Sequence, residues 1–338
     1  MADILNIFES DAFGVVPMTR AIRQMAPTWD RVGRLKLFGP GRGITQKVAA
    51  IELANDRLVL IDSAERGSAA PLLADGDRRL EAISVPHFPK DAAIYADEIT
   101  GVRAFGSTDQ YETVMSKVAE KLLMLRRQHS LTHEYLFTRA LHGVVIDPRG
   151  KVLLDAFTRF GFTQKIVNFD LGNPASDIAA HCRKVTGHIE DHLLGDVMDH
   201  VHCLGSPEWY DKFISHPQIK EAYQFWQGKG HPVRDDMRRG FEFAGIFFEE
   251  YRARSQDSTG TMRRFVDAEK ARFFPVGTVQ TFDLVYAPAD WMETINTPGL
   301  DVYAAVEPML NRKKGVTIES QSNPLPICLN PQVLVQGE

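Results

Sequence analysis

The stretch ADEITGVRAFGSTDQYETVMSKVAEKLLMLRRQHSLTHEYLFTRALHGVVIDPRGKVLLDAF, residues 96–157, decides the fold class. Ser107 followed by Gln110 has capping-box spacing: the hydroxyl can take an early backbone N–H while the amide reaches back. Tyr111, Met115, Val118, Leu122 and Leu125 recur at three- and four-residue steps, and Leu136 and Ala140 resume that spacing. This is the period of one buried helical face. Glu112, Lys117, Glu120, Lys121, Arg126, Arg127 and Glu134 fall on the other faces. Neither Pro nor Gly interrupts before Gly143, which suits a C-terminal cap. The pattern predicts one helix over 107–142, roughly 50 Å long at about 1.5 Å per residue. Ordinary globular helices rarely exceed about 20 residues. The charges exclude a membrane span, and no strict heptad is kept. Two shorter helices broken near His129-Ser130 are the alternative. Val144–Ile146 and Lys151–Leu154 then flank Asp147-Pro148-Arg149-Gly150, which suits a type I turn in a β-hairpin.

Composition narrows the class. The chain has 338 residues, 44% hydrophobic and 25% charged, which fits one elaborate globular domain or two ordinary ones. Net charge is −5 with no basic block, so sequence-independent nucleic-acid binding has no electrostatic footprint. No apolar run reaches membrane-spanning length, and MADILNIFESDAF lacks the basic start of a signal peptide. Cys182, Cys203 and Cys328 show no paired close spacing, which predicts a reducing compartment and buried thiols.

Outward from the long helix the chain is less regular. Residues 1–45 carry Ile4, Leu5, Ile7, Phe8, Phe13, Val15 and Val16 but are punctuated by Pro17, Pro27, Pro40 and the GPGRG run at 39–43. They read as an arm, with a short helix around Thr19–Met25, whose apolar residues find partners on another subunit; packing on its own domain is the alternative. Lys47–Ala54 and Arg57–Ile61 read as a hairpin around Asn55-Asp56. Residues 64–79 are turn-rich, and Leu80–Val85 is extended again. A lone hairpin is marginal in water, so a neighbouring copy is expected to support it. Phe160–Gly205 reads as mostly helical with an N-cap at Asn173 or Ser176, and Pro207–Trp226 as one or two helices. Phe241–Phe248 reads as one strand with Phe241, Phe243 and Phe247 on one face, and Phe273–Gly277 as a turn. Leu284–Tyr286 and Gly315–Glu319 read as strands, and Leu325–Val335 as a broken extended tail.

The strongest enzymatic pattern is the cluster His181, Cys182, His188, His192, His200, His202 and Cys203. His188 and His192 have the four-residue spacing of two metal ligands on a helix. The acid that follows comes one place late for the zincin pattern, and no third ligand stands at a diagnostic distance. GPGRG lacks the Lys-Ser/Thr of a P-loop, Gly67-Ser68 is no nucleophile elbow, and adjacent Glu249 and Glu250 would alternate faces in a strand. No constellation specifies a reaction.

Several segments, in order along the chain, carry a resemblance: NIFESDAF near the start, VPHFPKDAAIYADEITGVRAFG at 85–106, the long helix with IDPRGKVLLDAFTRFG at 146–161, GFEFAGIFFEEYR at 240–252, ARFFPVGT at 271–278, YAPADWMETINTPG at 286–299 and ESQSNPLPICLNPQVLV at 319–335. With them the chain resembles the lambda-type major capsid proteins of tailed phages, the capsid E family. Agreement is weakest across 170–235, which includes the histidine cluster.

The resemblance implies an α/β (α+β) chain with the tailed-phage, Hong Kong 97-like capsid fold. Its parts would be an N-terminal arm at 1–45, an extended hairpin loop at 46–95, and a peripheral domain at 96–165 with spine helix 107–142. An axial domain at 166–300 and C-terminal strands at 301–338 returning to the peripheral domain would complete it. The implied function is self-assembly into the icosahedral head shell around double-stranded DNA, through a precursor shell that expands on maturation. Implied partners are further copies in hexamers and pentamers, a scaffolding protein, a portal, a decoration protein as an open choice, and packaged DNA bound without sequence preference; no membrane. The implied place is the virion capsid, assembled in the host cytoplasm. The resemblance implies no enzyme, no cofactor and no catalytic, cofactor-binding or metal residues. The competing reading is a metal-dependent enzyme using the His181–Cys203 cluster.

Overall fold

The computed structural model describes residues 11–54, 78–99, 110–227, 240–308 and 315–338. Helix α1 (Val15–Gln24) buries Met18, Thr19 and Ile22, and the short α2 (Arg31–Leu35) buries Val32. Phe13, 1% exposed, packs with Ile22, Val114 and Val118. From Phe13 onward the arm's buried apolar side chains therefore find partners within their own chain, contrary to the expectation of partners on another subunit; Ile4, Leu5, Ile7 and Phe8 lie outside the described residues.

Strand β1 (Arg42–Gly43) is followed by β2 (Val48–Ala54), which pairs antiparallel with β3 (Arg78–Ser84). The partner of β2 is thus the 80–84 stretch, whereas Arg57–Ile61 lies outside the described residues. Strand β4 (Phe88–Tyr95) runs into the short α3 (Ala96–Ile99).

The long helix, α4, spans Gln110–Leu141 without a break at His129-Ser130. It ends where Gly143, at φ +75, donates its N–H to the Ala140 carbonyl. A Cβ at Gly143 would collide with the Phe157 ring at 2.2 Å, so close approach as well as left-handed backbone demands glycine there. The buried stripe runs Val114, Val118, Leu122 and Leu125; Met115 is 38% exposed, one position out of phase with expectation. Two charged residues expected on outer faces, Arg126 and Glu134, are buried. The first half of α4 packs on Ile94, Val302, Ala304, Val316 and Ile318, and its second half is enclosed on nearly all sides.

The hairpin β5 (Val144–Ile146) and β6 (Val152–Asp155) follows, then α5 (Ala156–Phe160), capped by Asp155, and β7 (Lys165–Val167). Helix α6 (Ile178–His192) is capped by Asp177, whose Oδ1 accepts the Ala180 N–H at 3.0 Å; the cap is neither Asn173 nor Ser176. The 160–205 region holds two strands besides this helix, since β8 (His200–Gly205) closes it. Helices α7 (Pro207–Ser215) and α8 (Pro217–Gln227) account for the predicted pair.

Phe241–Phe248 is a hairpin, not one strand. β9 (Phe241–Phe243) and β10 (Ile246–Glu250) are joined by Ala244 and Gly245, both at positive φ as a two-residue primed turn requires. The turn reverses the alternation, so Phe248 rather than Phe247 joins Phe241 in the core. The small hairpin β11 (Arg254–Gln256) and β12 (Met262–Arg264) follows. The expected turn at Phe273–Gly277 is instead strand β13 (Ala271–Val276); only Gly277, at φ +84, leaves it. Strands β14 (Phe282–Tyr286), β15 (Tyr303–Pro308), β16 (Gly315–Ser322), β17 (Pro324–Cys328) and β18 (Val335–Gly337) complete the described chain.

Three sheets organise these elements. A six-stranded mixed sheet has the order β7-β18-β13-β8-β10-β9; the three-stranded sheets are β15-β16-β4 and β1-β14-β17. A ring cluster covers the large sheet, with Phe213 and Phe248 at 4.3 Å and Phe169 and Phe273 at 5.4 Å between centroids. The C-terminal stretch serves two of these sheets: β16 pairs with β4, while β18 sits between β7 and β13.

Candidate functional site

The long helix α4 touches α1, α2, β4, β5, β16 and β17, and its buried polar residues say how. Arg126, Ser130 and Glu134 recur every fourth residue and form one stripe. Along that stripe lies the chain from Met25 to Gly33. Arg126 Nε donates to the Met25 carbonyl at 3.2 Å, and the Thr28 N–H donates to Ser130 Oγ at 3.3 Å. Glu134 Oε1 and Oε2 accept the N–H groups of Val32 and Gly33 at 2.7 and 2.9 Å. Tyr251 adds its hydroxyl at 3.3 Å. Arg126 also reaches Asp301 at 2.9 Å, which Arg23 holds from its other side.

The neighbouring stripe faces β16. His129 Nε2 stands 2.9 Å from Ser320 Oγ and His133 Nε2 stands 2.7 Å from Ser322 Oγ. Each serine gives its own proton to a backbone carbonyl, of Lys90 and of Asp301 respectively. Each serine oxygen must therefore accept from the imidazole, which fixes both rings as the Nε2–H tautomer. A four-residue helical repeat thus meets a two-residue strand repeat. Burial, then the Arg126 charge, pushes His129 down to about 4; burial, then His129 itself, pushes His133 down to about 3.

At the C-terminal end of α4 a single carboxylate joins helix to sheet. Asp267 lies 2.8 Å from Arg139 on the helix, 3.3 Å from His142 just past its end, and 3.2 Å from Arg272 on β13. Burial opposes its ionisation, but His142 and Arg139 outweigh that and hold the carboxyl well below the usual range. Burial and then the Arg272 charge keep His142 neutral.

The histidine cluster is dispersed. Cys182 and Cys203 are core residues; burial pushes the Cys182 thiol up to about 12 and raises that of Cys203 as well. His188 Nε2 donates to the Gln332 carbonyl at 3.1 Å and His192 Nδ1 to the His188 carbonyl at 2.7 Å, with ring centroids 4.2 Å apart. His181 faces Ser176, and His202 is buried 3.3 Å from Glu249. Among the described residues no group of three or more His, Cys, Asp or Glu side chains is placed to hold a metal ion, and no helix is long and apolar enough to cross a membrane.

The geometry is that of a framework, one helix ordering separate sheets, and comparison with known proteins places it. The model of a family described as "Phage major capsid protein E" matches residues 14–338. The chain belongs to this family. The major capsid protein of Pseudomonas phage KPP10 is 31% identical over 344 residues, covering 96% of this chain and 97% of that one. The major capsid protein of Salmonella phage Felix O1 (isolate Felix O1-VT1) is 28% identical, covering 98% of each. Among solved structures, a putative capsid protein of a prophage from Escherichia coli CFT073 matches with a TM-score of 0.58 at 9% identity, over 96% of this chain and 98% of that one. A phage-related protein from Bordetella bronchiseptica RB50 matches with a TM-score of 0.55 at 13% identity, over 97% and 98%. The chain is a tailed-phage major capsid protein with the tailed-phage capsid fold, a structural component of the virus capsid. In this capsid protein α4 is the spine helix. Sequence reasoning missed Asp267, Ser320 and Ser322 as the spine's partners; the four-residue recurrence of Arg126, Ser130 and Glu134 was a readable signal for a polar stripe, but nothing pointed to what it would meet.

Proposed function

We propose that copies of this chain close into an icosahedral shell of hexamers and pentamers around double-stranded DNA. The observation that carries this reading is the match of a capsid family over 14–338 to a chain whose spine helix binds separate sheets into one frame. The shell forms in the host cytoplasm as a smaller precursor, with a scaffolding protein and a portal, and expands as DNA enters; a decoration protein is a further partner where one is encoded. Residues 1–45 serve as an arm, 46–95 as an extended hairpin loop, 96–165 as a peripheral domain, 166–300 as an axial domain, and 301–338 as strands returning to the peripheral domain. A net charge of −5 suits a container that confines DNA without gripping it. The chain performs no catalysis and carries no cofactor.

Electron microscopy and sedimentation of the protein expressed alone test this. Closed shells, or rings and sheets of hexamers, are expected. A single small species at every concentration, with or without coexpressed scaffolding protein, would refute it.

A further inference from the structure

A groove of about 500 Å³ runs between the margin of the six-stranded sheet and helix α6. Strand β7 lines it with Lys165, and α6 lines it with Arg183, Lys184 and Gly187. His181 and His188 line it as well, and each feels one lysine. Burial lowers His181 first and the Lys184 charge next; burial, then His192, then Lys165 outweigh the groups that would raise His188. Both lysines therefore direct their charge into the groove. The sequence has no basic block, but the fold makes a basic site by setting β7 against α6.

The lining carries three fixed cations and one acid, Asp191, so positive charge prevails there. Arg183 reaches Asp177 only at 3.7 Å, and among the described residues Lys165 and Lys184 form no ion pair. A lysine at a sheet margin ordinarily guards against strand pairing. That accounts for Lys165 but not for Lys184 on the helix. Gly187 is a second, separate sign. Glycine inside a helix is destabilising, and no neighbour in the chain requires it, since a Cβ there would meet nothing within 4 Å. The missing side chain leaves helix backbone open to whatever enters the groove.

We propose that this groove holds the phosphodiester backbone of double-stranded DNA. The lining contains no Phe, Tyr or Trp, so it offers neither a platform for stacked bases nor the aromatic anchor of a peptide site. What it offers is charge for phosphate oxygens, which is indifferent to base sequence. The inference rests on the DNA-filled shell above and adds where each copy touches its cargo. A net charge of −5 still keeps the copy as a whole from attracting DNA, so the groove acts at close range, within about a Debye length of roughly 8 to 10 Å.

Fluorescence anisotropy of the dispersed full-length chain with a labelled DNA duplex, from low to high salt, tests this. Binding is expected to weaken as salt rises. In the double variant Lys165→Gln, Lys184→Gln the slope of log Kd against log salt is expected to fall by about 2, one for each lost phosphate contact. Gly187→Glu, which sets a carboxylate over the open helix backbone, is expected to lose binding at the wild-type melting temperature. A duplex of different sequence should behave as the first. No binding by the wild type at low salt, or an unchanged slope in the double variant, overturns the groove. Tighter binding of poly-glutamate than of the duplex at equal charge, through the same lysines, would make an acidic protein the occupant and overturn the assignment to DNA. Sedimentation keeps the two readings apart. A wild-type chain that binds DNA but forms no shells refutes the shell alone, and shells from a chain that binds no DNA refute the groove alone.

Discussion

Glu134 accepts the backbone N–H of Val32 at 2.7 Å across 102 residues of chain. A side chain in the spine thereby does for α2 what an N-cap residue does from within a helix. The residue in the N-cap position, Asp30, makes no side-chain capping bond. Val32 and Gly33 would otherwise carry orphan donors in a buried place. Replacing Glu134 with Ala should destabilise the monomer by about 3 kcal/mol, and with Gln by about 1 to 2, because the amide keeps one acceptor. Denaturant unfolding checks both, and equal stability of Glu134→Ala and wild type would show that α2 needs no such cap.

Gly33 tests the same joint from the other side. An added Cβ would lie 2.7 Å from Glu134 Oε2 and 2.8 Å from the Trp29 ring. Both are buried or partly buried neighbours with little room to move. Gly33→Ala normally gains helix propensity, yet here it should lower stability by about 1 to 3 kcal/mol through overpacking. A melting temperature at or above that of wild type would contradict the geometry.

The buried histidines set a pH window. His129 and His133 have folded values pushed down to about 4 and about 3, below the ordinary unfolded value near 6.5. The unfolded chain therefore binds more protons in between. Their stability contribution is complete above about pH 6.5 and declines as pH falls toward those lowered values. Unfolding midpoints between pH 7.5 and 4.5 should drop, and the double variant His129→Gln, His133→Gln should drop less steeply. Parallel curves would remove these two residues as the cause.

Asp267→Asn should loosen the junction of helix and sheet, leaving Arg139 and Arg272 buried without their counterion. The carboxylate side chain is 48% exposed, so solvent screening reduces the cost to about 2 kcal/mol. Amide exchange should accelerate at the end of the spine and along β13 before it does in the first half of the spine. Uniform acceleration would mean the junction is not a local one.

Phe13 decides where an arm deletion should stop. Removing residues 1–15 takes away a core side chain, so any assembly defect would be mixed with a folding defect. Deleting residues 1–10, which carry Ile4, Ile7 and Phe8, should leave the monomer's melting temperature unchanged and reduce shell formation seen by sedimentation. Normal shells from that deletion would argue against a strapping arm.

The sequence made the spine legible because a 32-residue helix leaves a long periodic signal, and Leu122, Leu125, Leu136 and Ala140 fell where expected. The phase at its start is not legible from the pattern: Met115 is the more conspicuous apolar residue, but Val114 is the one that fits against the sheet. Charge normally seeks water, so in the sequence Arg126 and Glu134 look like surface residues. Only tertiary partners, Asp301 for one and two backbone amides for the other, make their burial tolerable. The strand at 271–276 was hidden by Pro275, which pairs with Val201 near the strand's end, where the adjoining Gly277 suggested a turn. The histidine cluster looked like chemistry because neighbours in sequence stand out on the page, while folding sends them to a helix flank, a core and a strand.

The position of β18 also orders events in time. Strand β7, at 165–167, has its described sheet partner only in residues 335–337, and β13 reaches β7 only through them. A ribosome must therefore make the chain as far as residue 337 before the large sheet can close. Until then the sheet lacks the strand that joins β7 to β13, so a half-made chain is a poor recruit for a growing shell. Translation itself acts as a timer, admitting copies to assembly only when they are whole enough to fit.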